Sequence, residues 1–217
     1  MATSTTLTIQ GYRDEAVPNR FLRPEGAVDQ LAVLLPGFGY TLDMPLFYYA
    51  GHLLLERGWN VLRVEYAYNT RPEFQTLPEA ERHEWLLADT TAAWRAGLDQ
   101  RAYERVVLIG KSLGTLSMGH LLTMADPPRN VAAVWLTPLL GEERLRQQIV
   151  QYGGPSLFVI GTADPHFDPV VLEQMQVATI GEAVVVRNAD HGMDIPGDSI
   201  ASVRAVERVV EALSRFL

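Results

Sequence analysis

The stretch Val106-Val107-Leu108-Ile109-Gly110-Lys111-Ser112-Leu113-Gly114-Thr115 decides how the rest of the chain is read. Its first four residues are apolar, mostly β-branched, and end in glycine, as a buried parallel strand does. The run that follows, Thr115 to Met124, is compatible with a helix. A sharp strand-to-helix turn needs small residues on both sides of its central serine, because that backbone is strained and a Cβ at either flank would strike the neighbouring strand or helix. Gly110 and Gly114 meet this need. By composition arithmetic a Gly-x-Ser-x-Gly string arises by chance in about one such sequence in twenty, so it counts only in its strand-turn-helix setting.

Working outward, Leu31 to Leu35 before Pro36-Gly37 and Leu157 to Ile160 before Gly161 repeat the short apolar run. Val61 to Val64, Val131 to Leu136 and Ala183 to Val186 are weaker versions of it. Between these strands lie segments of helical period. Pro45 to Arg57 closes on Gly58, a C-cap signal. Glu79 to Leu98 carries Leu87, Thr91, Trp94 and Leu98 at spacings of four, three and four, which predicts that these residues form its buried stripe. A C-terminal helix carries Ile200, Val203, Val206, Val209/Val210, Leu213 and Phe216 behind an Asp198 or Ser199 cap and should pack on the sheet. Strand and helix thus alternate from about residue 30 onward, which predicts an α/β fold: a mostly parallel central sheet with helices on both faces, in a single domain over 1–217. Thr5 to Gln10 alternates apolar and polar residues and is expected as an antiparallel edge strand, with Val17 to Leu22 as its partner. Asn69 to Pro78 is polar and loop-like, and it follows a strand, where function collects.

Composition narrows the function classes. The 217 residues hold 47% apolar and 20% charged residues, which excludes disorder, collagen-like repeats and coiled coils. Eighteen basic against 26 acidic residues give a net charge of −8, which repels nucleic acid and anionic membrane surfaces. Seventeen of the 18 cations are Arg and one is Lys111, a bias read first as composition. Without cysteine there is no disulfide, thiolate nucleophile or Cys-based metal site. The N-terminal residues lack the basic and apolar regions of a signal peptide, and no run approaches 18 apolar residues, so a cytoplasmic location is expected.

A serine hydroxyl is a weak nucleophile and needs an imidazole to take its proton, with a carboxylate to orient that imidazole. Downstream of Ser112 lie Gly161-Thr162-Ala163-Asp164, after a late strand, and Asp190-His191-Gly192, before the final helix. On the elbow, this Ser, Asp, His order and the alternation of elements, the chain resembles the α/β-hydrolase superfamily over nearly all of residues 30 to 217, in its compact, capless serine esterase form. The resemblance implies Ser112 as nucleophile, His191 as general base and then acid, and Asp164 as orienting acid. It also implies an oxyanion hole from the backbone N–H of Leu113 and that of Phe38, in the loop Pro36-Gly37-Phe38-Gly39. That loop starts with Pro36, where the family commonly has His-Gly. Gly37 and Gly39 either let the backbone approach substrate or simply make a turn.

Asp168 and Asp190 are alternative acids, although Asp168 before Pro169 also fits a helix N-cap. Asp164, His166 and Asp168 together would suit a metal, but no metal and no organic cofactor is expected. Lys111 is expected to point away from Ser112 into a structural ion pair. His52, His83 and His120 fall within helices and read as surface or packing residues. Tyr40, Tyr66, Tyr68 and Leu139 are placed at the substrate pocket, with Glu65 beside them at the carboxyl edge of the sheet. The expected partner is a small-molecule acyl substrate, split as an ester, thioester or relative; perhydrolysis and acyl transfer would use the same residues. The competing class is a non-catalytic relative that binds a ligand or partner. Residues 137 to 156 have room for one short helix and no cap domain, so a shallow site with a preference for short acyl groups is expected.

Overall fold

The computed structural model describes residues 2–26, 28–125 and 130–217. Its eight strands are β1 (Thr3–Thr5), β2 (Asn19–Arg23), β3 (Gln30–Leu35), β4 (Asn60–Val64), β5 (Arg105–Lys111), β6 (Val131–Leu136), β7 (Pro155–Gly161) and β8 (Ile180–Val186). They form one sheet in the order β1-β2-β4-β3-β5-β6-β7-β8. β3 to β8 pair in parallel, and β1 and β2 run antiparallel at one edge. The α/β reading therefore holds. The helices are α1 (Pro45–Glu56), α2 (Pro72–Gln75), α3 (Glu79–Leu98), α4 (Leu113–Leu122), α5 (Glu143–Tyr152), α6 (Pro169–Ala178) and α7 (Ser199–Phe216).

Alternation along the strands divides the core in two. Leu31, Val33 and Leu35 of β3 face a layer built from α3, α4, α5 and α6, while Ala32 and Leu34 face α1 and α7. Because β3 and its neighbours are covered on both sides, they read as unbroken apolar runs rather than as alternating ones.

Four expectations shift. The edge strand is Thr3–Thr5 and its partner is Asn19–Arg23; Leu7 and Ile9 lie outside it, and Asn19 instead clasps Leu7 by accepting from its N–H and donating to its carbonyl, each at 2.9 Å. In α3 the buried stripe is Leu86, Asp89/Thr90, Ala93/Trp94 and Gly97, one residue off the expected Leu87 and Thr91, because α3 also packs around the polar centre formed by Asp89. In α7 Ile200 and Val203 are 64% and 66% exposed, and the sheet contact is made by Ala205, Val209, Ala212 and Leu213. Finally, Asn69 to Pro78 is not plain loop: a 3-10 turn (Tyr68–Thr70) and the one-turn α2 fold it so that Phe74 is buried. Asp198 caps α7 by accepting from Ala201 N–H at 2.9 Å, and Gly58 ends α1 at φ 78°. Residues 137 to 156 hold a turn, α5 and the start of β7, so no cap domain is inserted there. No helix among the described residues is long and apolar enough to cross a membrane.

The elbow glycine supplies a test. A Cβ on Gly114 would lie 2.2 Å from the Leu35 carbonyl oxygen, whereas one on Gly39 meets nothing within 4 Å. Gly114→Ala should therefore cost about 1–3 kcal/mol of stability from overpacking against backbone, and Gly39→Ala should stay within about 0.5 kcal/mol. Urea denaturation of both variants checks the contrast.

Candidate active site

Three strand ends converge at the carboxyl edge of the sheet. β5 hands over to Ser112, which sits at φ 51°, ψ −115°, a conformation that L-residues rarely adopt. Its own N–H donates to the Leu136 carbonyl at 3.0 Å, and its carbonyl receives Thr115 N–H at 2.8 Å. β7 ends in Gly161, where any Cβ would lie 2.0 Å from the Ala189 carbonyl oxygen. That missing side chain lets the turn carrying Asp164 touch the loop carrying His191. The loop is folded on itself by Asp190, whose Oδ1 accepts from Gly192 N–H and Asp194 N–H at 2.8 and 3.1 Å.

The result is a continuous hydrogen-bonded line. His191 Nε2 lies 2.8 Å from Ser112 Oγ, and His191 Nδ1 lies 2.8 Å from Asp164 Oδ2. The other oxygen of Asp164 accepts from His166 N–H at 2.9 Å. Burial alone would raise the Asp164 carboxyl, but the bonds from the His191 ring and the His166 backbone outweigh it and hold the group below the usual carboxylate range. Of the three candidate acids, Asp164 is the one bonded to His191. Asp168 instead caps α6, accepting from Val170 and Val171 N–H at 2.9 and 3.1 Å. Asp164, His166 and His191 offer ligand atoms within 4.8 Å of one another. Both Asp164 oxygens are nonetheless committed to N–H donors, an arrangement that suits proton handling better than metal ligation.

Lys111 departs from expectation. Its ammonium is in no ion pair among the described residues. Its ammonium donates to Thr137 Oγ1 at 2.8 Å and to the His191 carbonyl at 2.6 Å, and it lies 4.5 Å from the centre of the Tyr40 ring. The three tyrosines placed at the pocket are likewise support. Tyr40 lies beneath Lys111 and its hydroxyl accepts from Leu46 N–H at 3.1 Å. Tyr66 donates to the Pro36 carbonyl at 2.9 Å, steadying the Gly37–Gly39 loop from below. Tyr68 is fully buried and donates to Asp89 at 2.7 Å, with its ring stacked on Phe74 at 4.1 Å. Gly37 runs close to the serine: a Cβ there would stand 3.3 Å from that of Ser112.

Ser112 opens onto a cleft of about 880 Å³. The cleft follows α4 between the opening turns of α3 and α5. Phe38, Leu113 and Leu139, all expected at the site, line it together with Phe74, Leu86, Leu116 and Leu145. Much of its remaining wall is polar, with Glu79, Arg82 and His83 from α3, and Glu142, Arg144 and Gln148 at and within α5. Burial and the nearby Arg144 lower the basicity of His83, with Glu79 opposing. Sequence reasoning missed these wall residues. Phe74 had a signal, since it sits in the polar segment marked as functional ground, but Leu86 and Leu116 look like ordinary core positions, and nothing in Arg82-His83 sets them apart from a solvated helix face.

The alpha/beta hydrolase domain profile matches residues 28–217. No curated protein matches the chain in sequence. Among solved structures, a Pyrococcus furiosus esterase superposes with a TM-score of 0.73 at 14% identity, covering 99% of this chain and 91% of that one. A Xanthomonas campestris α/β serine hydrolase described as lacking a lid gives 0.67 at 17%, with coverages of 98% and 93%. Est1E of Butyrivibrio proteoclasticus, with ferulic acid bound, gives 0.71 at 15%, with coverages of 98% and 97%. At these identities the superpositions speak for the fold alone, and with the profile match over most of its length, the chain belongs to the α/β-hydrolase family.

Proposed function

We propose that the protein is a serine hydrolase that cleaves a small carboxylic ester or related acyl substrate through an acyl-enzyme. The observation that carries this reading is the line Ser112–His191–Asp164, with 2.8 Å at both links, opening onto a cleft lined by apolar side chains next to the serine. In the first half-reaction Ser112 Oγ attacks the acyl carbon as its proton passes to His191 Nε2. Asp164, held ionised by its two N–H donors, keeps the His191 Nδ1 proton in place and stabilises the imidazolium that forms. The imidazolium then protonates the departing alcohol or thiol. In the second half-reaction His191 takes a proton from water as the water oxygen attacks the ester of Ser112; the bond from the acyl carbon to Oγ then breaks, Oγ takes the proton back from His191, and the acid leaves. Charge on the carbonyl oxygen falls to two backbone donors, Leu113 N–H and Phe38 N–H. Leu113 is the first residue of α4, so its N–H has no intrahelical partner and points along the positive end of the helix. The esterase and lidless serine hydrolase among the similar structures support this class of reaction.

The cleft also bears on chain length. Apolar side chains beside Ser112 line it, and charged side chains of α3 and α5 share its wall. Each buried CH₂ is worth about 0.8 kcal/mol, or roughly fourfold in kcat/KM. That gain ends where further methylenes would displace water from guanidinium and carboxylate groups.

Three outcomes are expected. Ser112→Ala should lower ester hydrolysis by on the order of 10⁴ to 10⁶ with the fold retained; retained turnover would end the assignment. Asp164→Asn should lower kcat by roughly 10⁴, whereas Asp168→Ala should cost about 1 kcal/mol of stability through the lost α6 cap and leave kcat near wild type. On p-nitrophenyl esters from acetate to palmitate, kcat/KM should peak within about six acyl carbons; a value still climbing beyond about ten carbons would refute the account of the cleft.

A further inference from the structure

Seventeen of the chain's 18 cations are Arg, so its composition favours arginine wherever a positive charge suffices. The one lysine lies directly before Ser112 and is fully buried. We propose that Lys111 is a positioning residue for the hydrolysis: it clamps the His191 loop from beneath and thereby holds the imidazole on the line between Ser112 and Asp164. This inference rests on the serine hydrolase reading above.

The geometry explains why the residue is a lysine. An ammonium has three donors directed tetrahedrally, while a guanidinium presents a planar fork. Lys111 Nζ has three receivers in three directions: the His191 carbonyl at 2.6 Å, Thr137 Oγ1 at 2.8 Å and the face of Tyr40, whose centre is 4.5 Å away. All three are themselves fixed. Tyr40 is held by Leu46 N–H, and Thr137 sits at φ 40° with its own N–H on the Val159 carbonyl at 2.7 Å. The clamp therefore links the end of β5 to the turn after β6 and to the His191 loop. Asp190 ties that loop from within; Lys111 is the side chain bonded to the main chain of His191 itself. A bond from a charged donor is shorter and roughly twice as strong as a neutral one, and catalytic groups need to be held to about 0.5 Å and 10–20°.

The charges facing Lys111 are Asp164 from the turn after β7, and Asp190 and Asp194 from the His191 loop. Tyr40 packs against it from the segment before α1. Burial lowers the ammonium pKa to about 8, with the three carboxylates opposing the fall. Folded Lys111 therefore loses its proton well before unfolded lysine does. Above about pH 8 the unfolded chain binds more protons at this site, so the group adds stability as pH rises. The clamp, by contrast, weakens once the donor is neutral. Activity and stability should part company in this range, which they would not do if Lys111 served packing alone.

The test is Lys111→Met, which keeps the stem and removes the donors, followed by kcat, KM, melting temperature and a pH–rate profile from 6 to 10. Backbone hydrogen exchange of residues 189–195 is read alongside. Expected are a kcat lowered on the order of tenfold to a hundredfold, since a small misplacement of a reacting group costs that much, a KM within about twofold, and a modest change in melting temperature, since relief of the buried charge is set against two acceptors, Thr137 Oγ1 and the His191 carbonyl, left without their donor. The loop should exchange faster, and the fall in wild-type rate above about pH 8 should be absent from the variant. A variant with wild-type kcat, or with raised KM alone, overturns the proposal, as does a fall above pH 8 that persists in the variant. Wild-type protein that hydrolyses no ester overturns the serine reading and this inference together; active wild type with an indifferent Lys111→Met overturns this inference alone.

Discussion

Ser112 holds φ 51° because the turn that carries it passes between backbone on every side. A Cβ on Gly114 would reach the Leu35 and Pro36 carbonyl oxygens of the adjacent β3 end, and one on Gly110 would meet Met118 Sδ at 2.5 Å and the Gly114 carbonyl oxygen at 2.8 Å. With those two side chains absent, β5 can turn into α4 in a single residue, and the hydroxyl of that residue stands clear at the edge of the sheet. The same close approach brings the Gly37 loop to the serine. The strain at Ser112 is thus held by the packing of β3, β5 and α4. The site exists because three parallel strands end at one level.

The partners of Ser112 arrive by the same device. Gly161 lets the end of β7 touch Ala189, so two separate loops deliver Asp164 and His191 to one point. The apolar layers on either side differ in task. The layer of α1 and α7 seals the back of the sheet, while α3, α4 and α5 on the other face leave a cleft between them that begins at Ser112. Several polar groups buried behind the site have partners: Tyr66 on Pro36, Tyr68 on Asp89, Lys111 on His191 and Thr137. A buried polar group left without a partner is costly, so these bonds fix the loops around the serine more firmly than packing alone would.

Much of this was legible in the sequence, for a physical reason. Strands buried on both faces carry a strong apolar signal, and turns that forbid a Cβ leave glycines at fixed offsets, so β3, β5, β7 and the elbow could be located from residue types. Asp164 and His191 were implied by the resemblance to α/β-hydrolases, in which the acid follows a late strand and the histidine precedes the final helix. What stayed hidden depends on long-range packing. The stripe of α3 moved because Asp89 is drawn inward by Tyr12 and Tyr68, from segments 77 and 21 residues away. Ile200 and Val203 continue the apolar period of α7 beyond the sheet that would cover them. Tyr66 and Tyr68 end a strand where ligands bind, yet their hydroxyls find backbone and carboxylate partners underneath. The cleft wall is assembled from helices far apart in sequence, and no local pattern marks Arg82 or Arg144 as its members.

The central claim, that Ser112 is a nucleophile activated by His191 and Asp164, meets its most direct test in covalent labelling of the folded protein with a fluorophosphonate, followed by mass-spectrometric mapping of the adduct. The account predicts one adduct per chain, on the peptide that carries Ser112, with no labelling of Ser117 and none after heat denaturation. An unlabelled folded protein, or an adduct placed on any other residue, would contradict it.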